Sequence, residues 1–335
     1  MSLEEVAKRA GVSTATVSRV LNNVNVVKGS TRSRVMRAVA ELNYHPNLHA
    51  RSLAGGKSRT IGVIVSNLAN PFFYDISHTV EMEAHKHSLE VVVANTDYDP
   101  DQLRRSVNLM IGRRVAGLLL IVSERDPAIM DTLLDSNIPA VFYDVGAPQE
   151  NISNIRVNYR RGIERMVEYL HDLGHRRFAF IGHHSGLGPT GEREIAFVET
   201  VRHLGDSEWR TVADQDSLDG GRQAAYELLN TGFEPTAITC VNDVMAVGVL
   251  RELRARGLRV PQDVSVTGFD NIKLSEYADP PLTTMHIPRD RIGRLSFEIL
   301  VPESVRMKPP GREVVIDPEL VLRESTGPAG GGRSG

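Results

Sequence analysis

The sequence predicts a small all-α head followed by a larger α/β body built from two doubly wound parallel sheets. Three observations support this fold class. A glycine-broken pair of short helical patterns opens the chain, basic residues concentrate in the first 58 positions, and apolar runs alternate with amphipathic stretches after them. At 335 residues the chain is long enough for two or three domains.

Charge is divided unevenly along the chain. Residues 1–58 contain nine Lys/Arg and three Asp/Glu, a net charge of +6, whereas the remainder carries −9 and the whole chain −3. A basic segment joined to an acidic body is typical of proteins whose small domain binds a polyanion. The expected partner of residues 1–58 is therefore a polyanion.

The remaining totals predict a cytoplasmic protein. Cys240 is the single cysteine and lies in the apolar run AITCV, which indicates a buried, inert thiol and no disulfide framework. No signal peptide is apparent before the first polar helix, and no apolar run approaches the roughly 20 residues that span a bilayer. No membrane partner is therefore predicted.

Residues 1–45 predict a helix-turn-helix domain. Ser2 and Glu5 form a capping-box pattern, and Gly11 can end the first helix. Ser13 is placed to cap a second helix, and Ser30 a third. The outward residues of the second helix are small, so the helix can enter the major groove of a duplex. The alternative is a small helical bundle that only packs.

The stretches LEEVAKRAGVSTATVSRVLNN, TRSRVMRAVAELNYHPN and ARSLAGGKS resemble the head of the lactose/galactose-repressor family of bacterial transcription regulators. This resemblance implies that Thr14 and Ala15 occupy the two base-reading positions, and that neighbouring side chains hold phosphates or base edges. The DNA-binding residues expected on and around the second helix are Ser13, Thr14, Ala15, Thr16, Ser18, Arg19 and Asn22.

Residues 46–58 predict a linker that contains a marginal helix, NLHARSL, too short to be stable alone. By the same resemblance this segment folds as a hinge helix on the operator. Leu53 then matches a leucine that enters the minor groove, and Ala50 is its small partner one turn earlier. A plain linker is the alternative.

Residues 59–327 predict the α/β body, with 328–335 as a flexible tail. TIGVIV, EVVVAN, GLLLIV and PAVFYD are typical of buried parallel strands, and FAFIG, AITCVN and SVTGFD resume the pattern. The intervening stretches predict crossover helices, so two lobes are expected. The N-lobe is predicted at about 59–158 and 287–316, and the C-lobe at about 159–286 and 317–327.

Polar and aromatic side chains follow these predicted strands. Open α/β sheets bind ligands beyond the carboxyl ends of their strands, so such residues are candidates for a ligand pocket. Carboxylates and amides could bind the hydroxyls of a sugar, with an aromatic face against its ring. Asp243 is interpreted instead as the cap of the following helix.

The family resemblance continues in SNLANPFFYDI, VNDVMAVGVL, GLRVPQDVSVTGFDN and PPLTTM, and it implies a two-lobed, periplasmic-binding-protein-like effector domain. Arg193 matches an arginine that often grips the effector. The sequence departs from the family pattern at Asn158–Tyr159, where an Asp-Asn pair is usual, and at Asp216, where an aromatic is frequent. The predicted effector-binding residues are Asn70, Phe72, Phe73, Asp97, Tyr98, Thr190, Arg193, Asp216, Asn242 and Asp270.

Two other functions have some support in the sequence. The stretch GLGPTG, residues 186–191, has the spacing of a dinucleotide-binding turn, which would suit an NAD-dependent enzyme. Its glycines begin four residues past the strand, however, and Pro189 stiffens the loop. A solute-binding protein of a transporter would share the two-lobed body but would be exported without a helix-turn-helix.

The predicted function is therefore a ligand-responsive DNA-binding regulator, a repressor that binds a pseudo-palindromic operator as a homodimer and is not an enzyme. The expected effector lies between the lobes and is a sugar or sugar phosphate first, a nucleobase or nucleoside second. No catalytic residue, metal site or cofactor is predicted. A phosphorylated carrier protein is a partner of some relatives, but no residue pattern here supports one. The tail PAGGGRSG carries no leucine heptad, so a dimer without a tetramer-forming helix is expected.

Overall fold

A computed structural model of the chain describes residues 2–21, 26–44, 58–124, 126–184, 188–301 and 310–330. The chain divides into two compact units, residues 1–58 and 59–335. Over the described ranges, no helix combines the length and the apolar character that a membrane span requires.

The first unit contains three helices, α1 (Leu3–Ala10), α2 (Thr14–Leu21) and α3 (Gly29–Glu41). The predicted capping box is confirmed, because the Ser2 backbone amide donates to Glu5 and the Glu5 amide donates to the Ser2 hydroxyl. Gly11 ends α1 at φ 64°, a left-handed conformation that favours glycine. The Ser13 hydroxyl accepts from the Thr16 amide at 3.3 Å, as the predicted cap of α2 requires.

The prediction that Ser30 caps the third helix is wrong. The helix begins at Gly29, two residues before the start that a Ser30 cap implies, and its N-cap residue Lys28 makes no side-chain capping bond. Ser30 therefore lies inside the first turn. The helices enclose a small apolar core in which Val6, Val17 and Val35 are fully buried.

The body contains two parallel sheets. The strands of the first are β1 (Thr60–Val65), β2 (Glu90–Asn95), β3 (Gly117–Ile121), β4 (Ala140–Tyr143), β5 (Ile152–Val157) and β11 (Glu313–Ile316), in the spatial order β11-β5-β4-β3-β1-β2. Strands β1 and β3 are almost fully buried, because helices cover both faces of a parallel sheet.

The second sheet is smaller. Its strands are β6 (Arg177–His183), β7 (Glu208–Asp214), β8 (Ala237–Cys240) and β9 (Ser265–Thr267), in the order β7-β6-β8-β9. Strands β10 (Thr284–His286) and β12 (Glu319–Val321) form a separate antiparallel pair. In both parallel sheets the strand order reverses near the middle, and this switch point opens a crevice at the carboxyl ends.

Nine helices connect the described strands of the body. They are α4 (Pro71–Lys86), α5 (Pro100–Gly112), α6 (Pro127–Ser136), α7 (Tyr159–Asp172), α8 (Gly188–Leu204), α9 (Leu218–Asn230), α10 (Asp243–Ala255), α11 (Leu274–Tyr277) and α12 (Arg289–Leu300). The stretch PFFYDISHTVEMEAHK, predicted as a crossover helix, is α4 residue for residue. One continuous apolar core runs through both sheets, and a second cluster lies on the other face of the first sheet.

Candidate functional site

Helix α2 presents a small, polar outer surface. Thr14, Ala15 and Arg19 are exposed, whereas Thr16 and Ser18 are half-buried beside Val17 and Val20 of the core. Ser13 directly precedes the helix and is exposed. Its hydroxyl is hydrogen-bonded to the Thr16 hydroxyl and accepts from the Thr16 amide. Three other predicted DNA-binding residues, Asn22, Ala50 and Leu53, lie outside the described residues.

A cavity lies where the carboxyl ends of the two parallel sheets meet. It encloses about 420 Å³, including space open to solvent. Nine of the ten predicted effector residues line it, namely Asn70, Phe72, Phe73, Tyr98, Thr190, Arg193, Asp216, Asn242 and Asp270. Six residues not predicted for it complete the lining, namely Ile121, Val122, Ser123, Tyr143, Tyr159 and Pro189. Residues just beyond the strands therefore do converge, as the rule for open sheets requires.

The predicted placement of Asp97 in the cavity is wrong. Strand β2 ends at Asn95, and Asp97 and Tyr98 both adopt left-handed conformations, with φ of 51° and 61°. This turn leaves the Asp97 side chain exposed, where its carboxylate accepts from Asn95, while Tyr98 lines the cavity.

Arg193 lies on α8 and is buried. Its Nη1 donates to the Val241 carbonyl at 2.9 Å, and its Nε donates to the Pro189 carbonyl at 3.2 Å. The guanidinium lies 4.5 Å from the centroid of the Tyr159 ring, and Nη1 is 3.8 Å from Oδ1 of Asp270. Burial raises the pKa of Asp270 well above the ordinary value, although Arg193 opposes this shift. These contacts preorganise Arg193 at the cavity wall.

The cap of α10 is Asn242 and not Asp243, so that prediction is corrected. Asn242 Oδ1 accepts from the Met245 amide at 2.9 Å, and its Nδ2 is left to donate to Asp216 at 2.6 Å. Asp243 is fully buried and accepts from the Ile272 amide and from the Thr284 hydroxyl. Asp243 thereby ties α10 to the segment after β9 and to β10, which the local sequence pattern did not reveal.

A hydrogen-bonded chain of three side chains backs one wall of the cavity. The Tyr143 and Tyr159 hydroxyls are 2.9 Å apart, and the Tyr159 hydroxyl donates to Asp144 Oδ2 at 2.6 Å. Asp144 Oδ1 also accepts from the Val157 amide at 2.7 Å. Both tyrosines were missed, although Tyr143 lies second to last in the predicted strand PAVFYD and Tyr159 is one of the departures from the family pattern.

Asp144 should make stability fall with rising pH. Burial raises the pKa of its carboxyl from 3.8 to about 7. Between these values the folded chain keeps a proton that the unfolded chain releases, so this stabilisation is complete at low pH and is lost as pH rises through about 7. We expect Asp144→Asn to make the decline of the free energy of unfolding between pH 5 and 7 shallower by about 1 kcal/mol per pH unit.

Urea unfolding at a series of pH values checks this expectation. Asp135→Asn removes an exposed carboxylate from α6 and is the matched control, whose slope should follow the wild-type protein. Parallel slopes for wild type and Asp144→Asn would contradict the proposed protonation of Asp144.

The chemistry of the cavity suits binding of a polar ligand. Residues that carry hydroxyl, amide, carboxylate and guanidinium groups line it together with aromatic residues. Cys240 is buried, and burial raises the pKa of its thiol, so it has little nucleophilic character. Within the described part of the chain, no group of three or more His, Cys, Asp or Glu residues is placed to hold a metal ion.

Each of the two units contains a segment that matches a known protein family. Residues 2–47 match the family described as bacterial regulatory proteins, lacI family, and residues 167–326 match a periplasmic binding protein-like domain. The HTH-type transcriptional repressor PurR of Photobacterium profundum is 35% identical over 330 residues, which cover 97% of this chain and 98% of the relative.

Solved structures agree over the same length. The lac repressor dimer bound to operator and the anti-inducer ONPF superimposes with a TM-score of 0.83 at 31% identity, covering 98% of this chain and 99% of that chain. A complex of the transcriptional regulator CelR with cellobiose gives a TM-score of 0.69 at 30% identity, covering 97% and 99%. The helix-turn-helix, the two-sheet body and the near-complete coverage together show that this chain belongs to the lacI family of bacterial regulatory proteins.

Proposed function

We propose that this chain is a ligand-responsive transcriptional repressor that binds a pseudo-palindromic operator as a homodimer. One observation carries the proposal: a helix-turn-helix unit and an effector-type cavity occur in one chain that aligns almost end to end with named repressors. A ligand in the cavity would contact both lobes and bias their relative arrangement. Because binding linkage is reciprocal, operator DNA must change the affinity for the ligand by the same factor by which the ligand changes the affinity for operator DNA.

The rival functions have less support. A solute-binding protein would share the body, but the head matches a DNA-binding family. The named relatives are repressors, and we propose that this chain has no enzymatic activity. A protein that acts on operator DNA must share a compartment with the chromosome, so we propose a cytoplasmic location.

The dimer proposal has support in the body. Strand β2 is an edge strand of the first sheet, and its Val93 is exposed. Tyr74 and Met82 on α4 are also exposed apolar side chains. A second copy of the chain could cover such surface, and two-fold symmetry would match a two-fold-symmetric operator.

We propose that α2 reads bases through Thr14 and Ala15, with Thr16, Ser18 and Arg19 on phosphates or base edges. The small exposed side chains of α2 allow close approach to the floor of the major groove. Ser13 and Asn22 complete the proposed contact set.

Selection from a random duplex library with the full-length protein, at moderate ionic strength, tests the proposed function. We expect enrichment of a two-fold-symmetric sequence and a 1:1 ratio of dimer to duplex in analytical ultracentrifugation. Enrichment of no symmetric site, with and without candidate small molecules, would refute the repressor proposal.

Leu53→Ala should weaken operator binding selectively. If Leu53 enters the minor groove, the truncated side chain cannot hold the kinked duplex, and we expect affinity to fall on the order of 10- to 100-fold. Ligand affinity and thermal stability should stay near wild type. A loss of thermal stability that accounts for the loss of operator affinity would contradict the proposed insertion of Leu53 into the minor groove. Unchanged operator affinity in a filter-binding titration would contradict it as well.

A further inference from the structure

Asp216 lines the cavity, and its carboxylate accepts hydrogen bonds from four side chains. It lies in the loop between β7 and α9, and its carboxylate accepts from the Tyr98 hydroxyl and from Asn242 Nδ2, each at 2.6 Å. The side-chain amides of Asn67 and Asn70 donate to it at 3.3 Å each. Four donors on one carboxylate nearly exhaust its acceptor capacity.

These donors come from both lobes. Asn67, Asn70 and Tyr98 follow β1 and β2 of the first sheet, whereas Asn242 follows β8 of the second. Asp216 therefore joins the lobes across the cavity in this structure. A ligand that enters between them must leave these bonds in place or replace them, since a half-buried carboxylate stripped of donors is costly.

Carboxyl groups outnumber cations around this cavity. Asp216 and Asp270 line it, and Arg193 is the one lysine or arginine among the described lining residues. Glu124 lies directly behind Ser123, where it is buried and accepts from the Ser123 amide and the Ser66 hydroxyl. Arg193 already donates two of its N–H groups to backbone carbonyls and faces the Tyr159 ring, so only its remaining N–H groups can reach a ligand.

Resting on the proposed function, we propose that Asp216 selects the effector. The ligand displaces side-chain donors from this carboxylate and supplies hydroxyl or amine donors in their place. The effector is accordingly a neutral or cationic polyhydroxy compound, and phosphorylated ligands are rejected. Phe72 and Phe73 provide an apolar surface for a ring, and the hydroxyls of Ser123 and Thr190 provide further partners.

The rejection of phosphate follows from charge. A phosphate group placed near Asp216 adds a second anion beside a half-buried carboxylate, and it can donate no hydrogen bond when fully ionised. A sugar hydroxyl or an ammonium group donates directly to the carboxylate, and bonds of this charge-assisted kind are stronger than neutral ones.

Matched probes test the assignment on the full-length protein. The sets are glucose, glucosamine and glucose 6-phosphate; ribose and ribose 5-phosphate; adenosine and adenosine 5′-monophosphate, each measured by thermal shift and then by calorimetry up to about 10 mM. We expect binding among the unphosphorylated members, with each phosphorylated counterpart of a binder weaker by at least roughly 10-fold.

Asp216→Asn is the test variant. We expect the best unphosphorylated probe to bind about 10-fold more weakly and the penalty for its phosphorylated counterpart to shrink. Asp219→Asn removes a fully exposed carboxylate three residues away and should behave as wild type. Tyr98→Phe removes one donor to Asp216 but keeps the charge of Asp216. In this variant each phosphorylated probe should still bind more weakly than its parent, and it is the variant to measure if Asp216→Asn does not fold.

Three results would overturn the inference: a phosphorylated probe that binds as tightly as its parent, no binding by any unphosphorylated probe, or an unchanged phosphate penalty in Asp216→Asn. Operator selection is measured separately on the same preparation. A chain that selects a symmetric operator but prefers phosphates disproves only the ligand class, whereas a chain that selects no operator disproves the repressor proposal.

Discussion

Arg193→Ala should abolish the response to effector while leaving operator binding intact. The guanidinium is held at the cavity wall by Val241, Pro189 and the Tyr159 ring, so it is already oriented for a ligand. Loss of charge-assisted hydrogen bonds to a bound molecule would weaken ligand affinity on the order of 100-fold. The helix-turn-helix belongs to the other compact unit and should bind operator as before.

The measurement is operator affinity with and without the compound that gives the largest thermal shift in the wild-type protein. Arg202→Ala, at an exposed position on the same helix α8, is the matched control. Removing Arg193 also deprives the buried Asp270 of its nearest cation, so the unfolding transition must be recorded for both variants. A folded Arg193→Ala variant with a normal ligand response would refute the role assigned to Arg193.

Gly221→Ala should destabilise the second lobe by about 3 kcal/mol. A Cβ atom at position 221 of α9 would lie 2.1 Å from the Met245 carbonyl oxygen of α10, and the clashing atoms are backbone. Gly248 of α10 approaches the Leu218 carbonyl of α9 equally closely, so the two helices touch through glycines on both sides. The clash cannot be relieved by a side-chain rotation and must move a helix.

Urea unfolding provides the measurement. Gly112→Ala, at the last residue of α5, is the control, because a Cβ there meets no atom within 4 Å. Helix propensity predicts that this control is neutral or stabilising by up to roughly 1 kcal/mol. Equal stability of the Gly221 variant and the Gly112 variant would show that α9 and α10 do not pack this closely.

Sequence patterns predicted best the elements that have continuous apolar runs or helical periodicity. Strands β1 and β2 and helix α4 have the predicted limits, although EVVVAN was predicted to be buried and β2 is an edge strand with no buried residue. Strand β7, an edge strand of the second sheet, was missed because its composition, EWRTVAD, is mixed. Helix α7 was likewise not predicted, despite its buried apolar face.

The lining of the cavity was likewise predicted in part and missed in part. Residues that follow strands could be found from the sequence, because parallel strands end at one edge and bring their next residues together. Asp97 met that criterion and still lies outside, since two successive left-handed residues turn it away from Tyr98. Tyr143 was missed because a tyrosine within an apolar run is commonly interpreted as core, and Tyr159 was missed because the strand before it, β5 (Ile152–Val157), was not predicted.

By itself, the sequence determined the helix-turn-helix head, the two-sheet body and most of the cavity lining through local periodicity, capping and strand order, and it indicated the family through the resemblance of whole stretches. Only the tertiary structure decided that Asp216 collects donors from both lobes, that Asp243 bridges distant segments and that Asp144 lies behind the tyrosines. Those contacts join residues that are not neighbours in the chain; Tyr98 and Asp216, for example, are 118 positions apart. Such contacts form only when the chain folds, so no local sequence pattern indicates them.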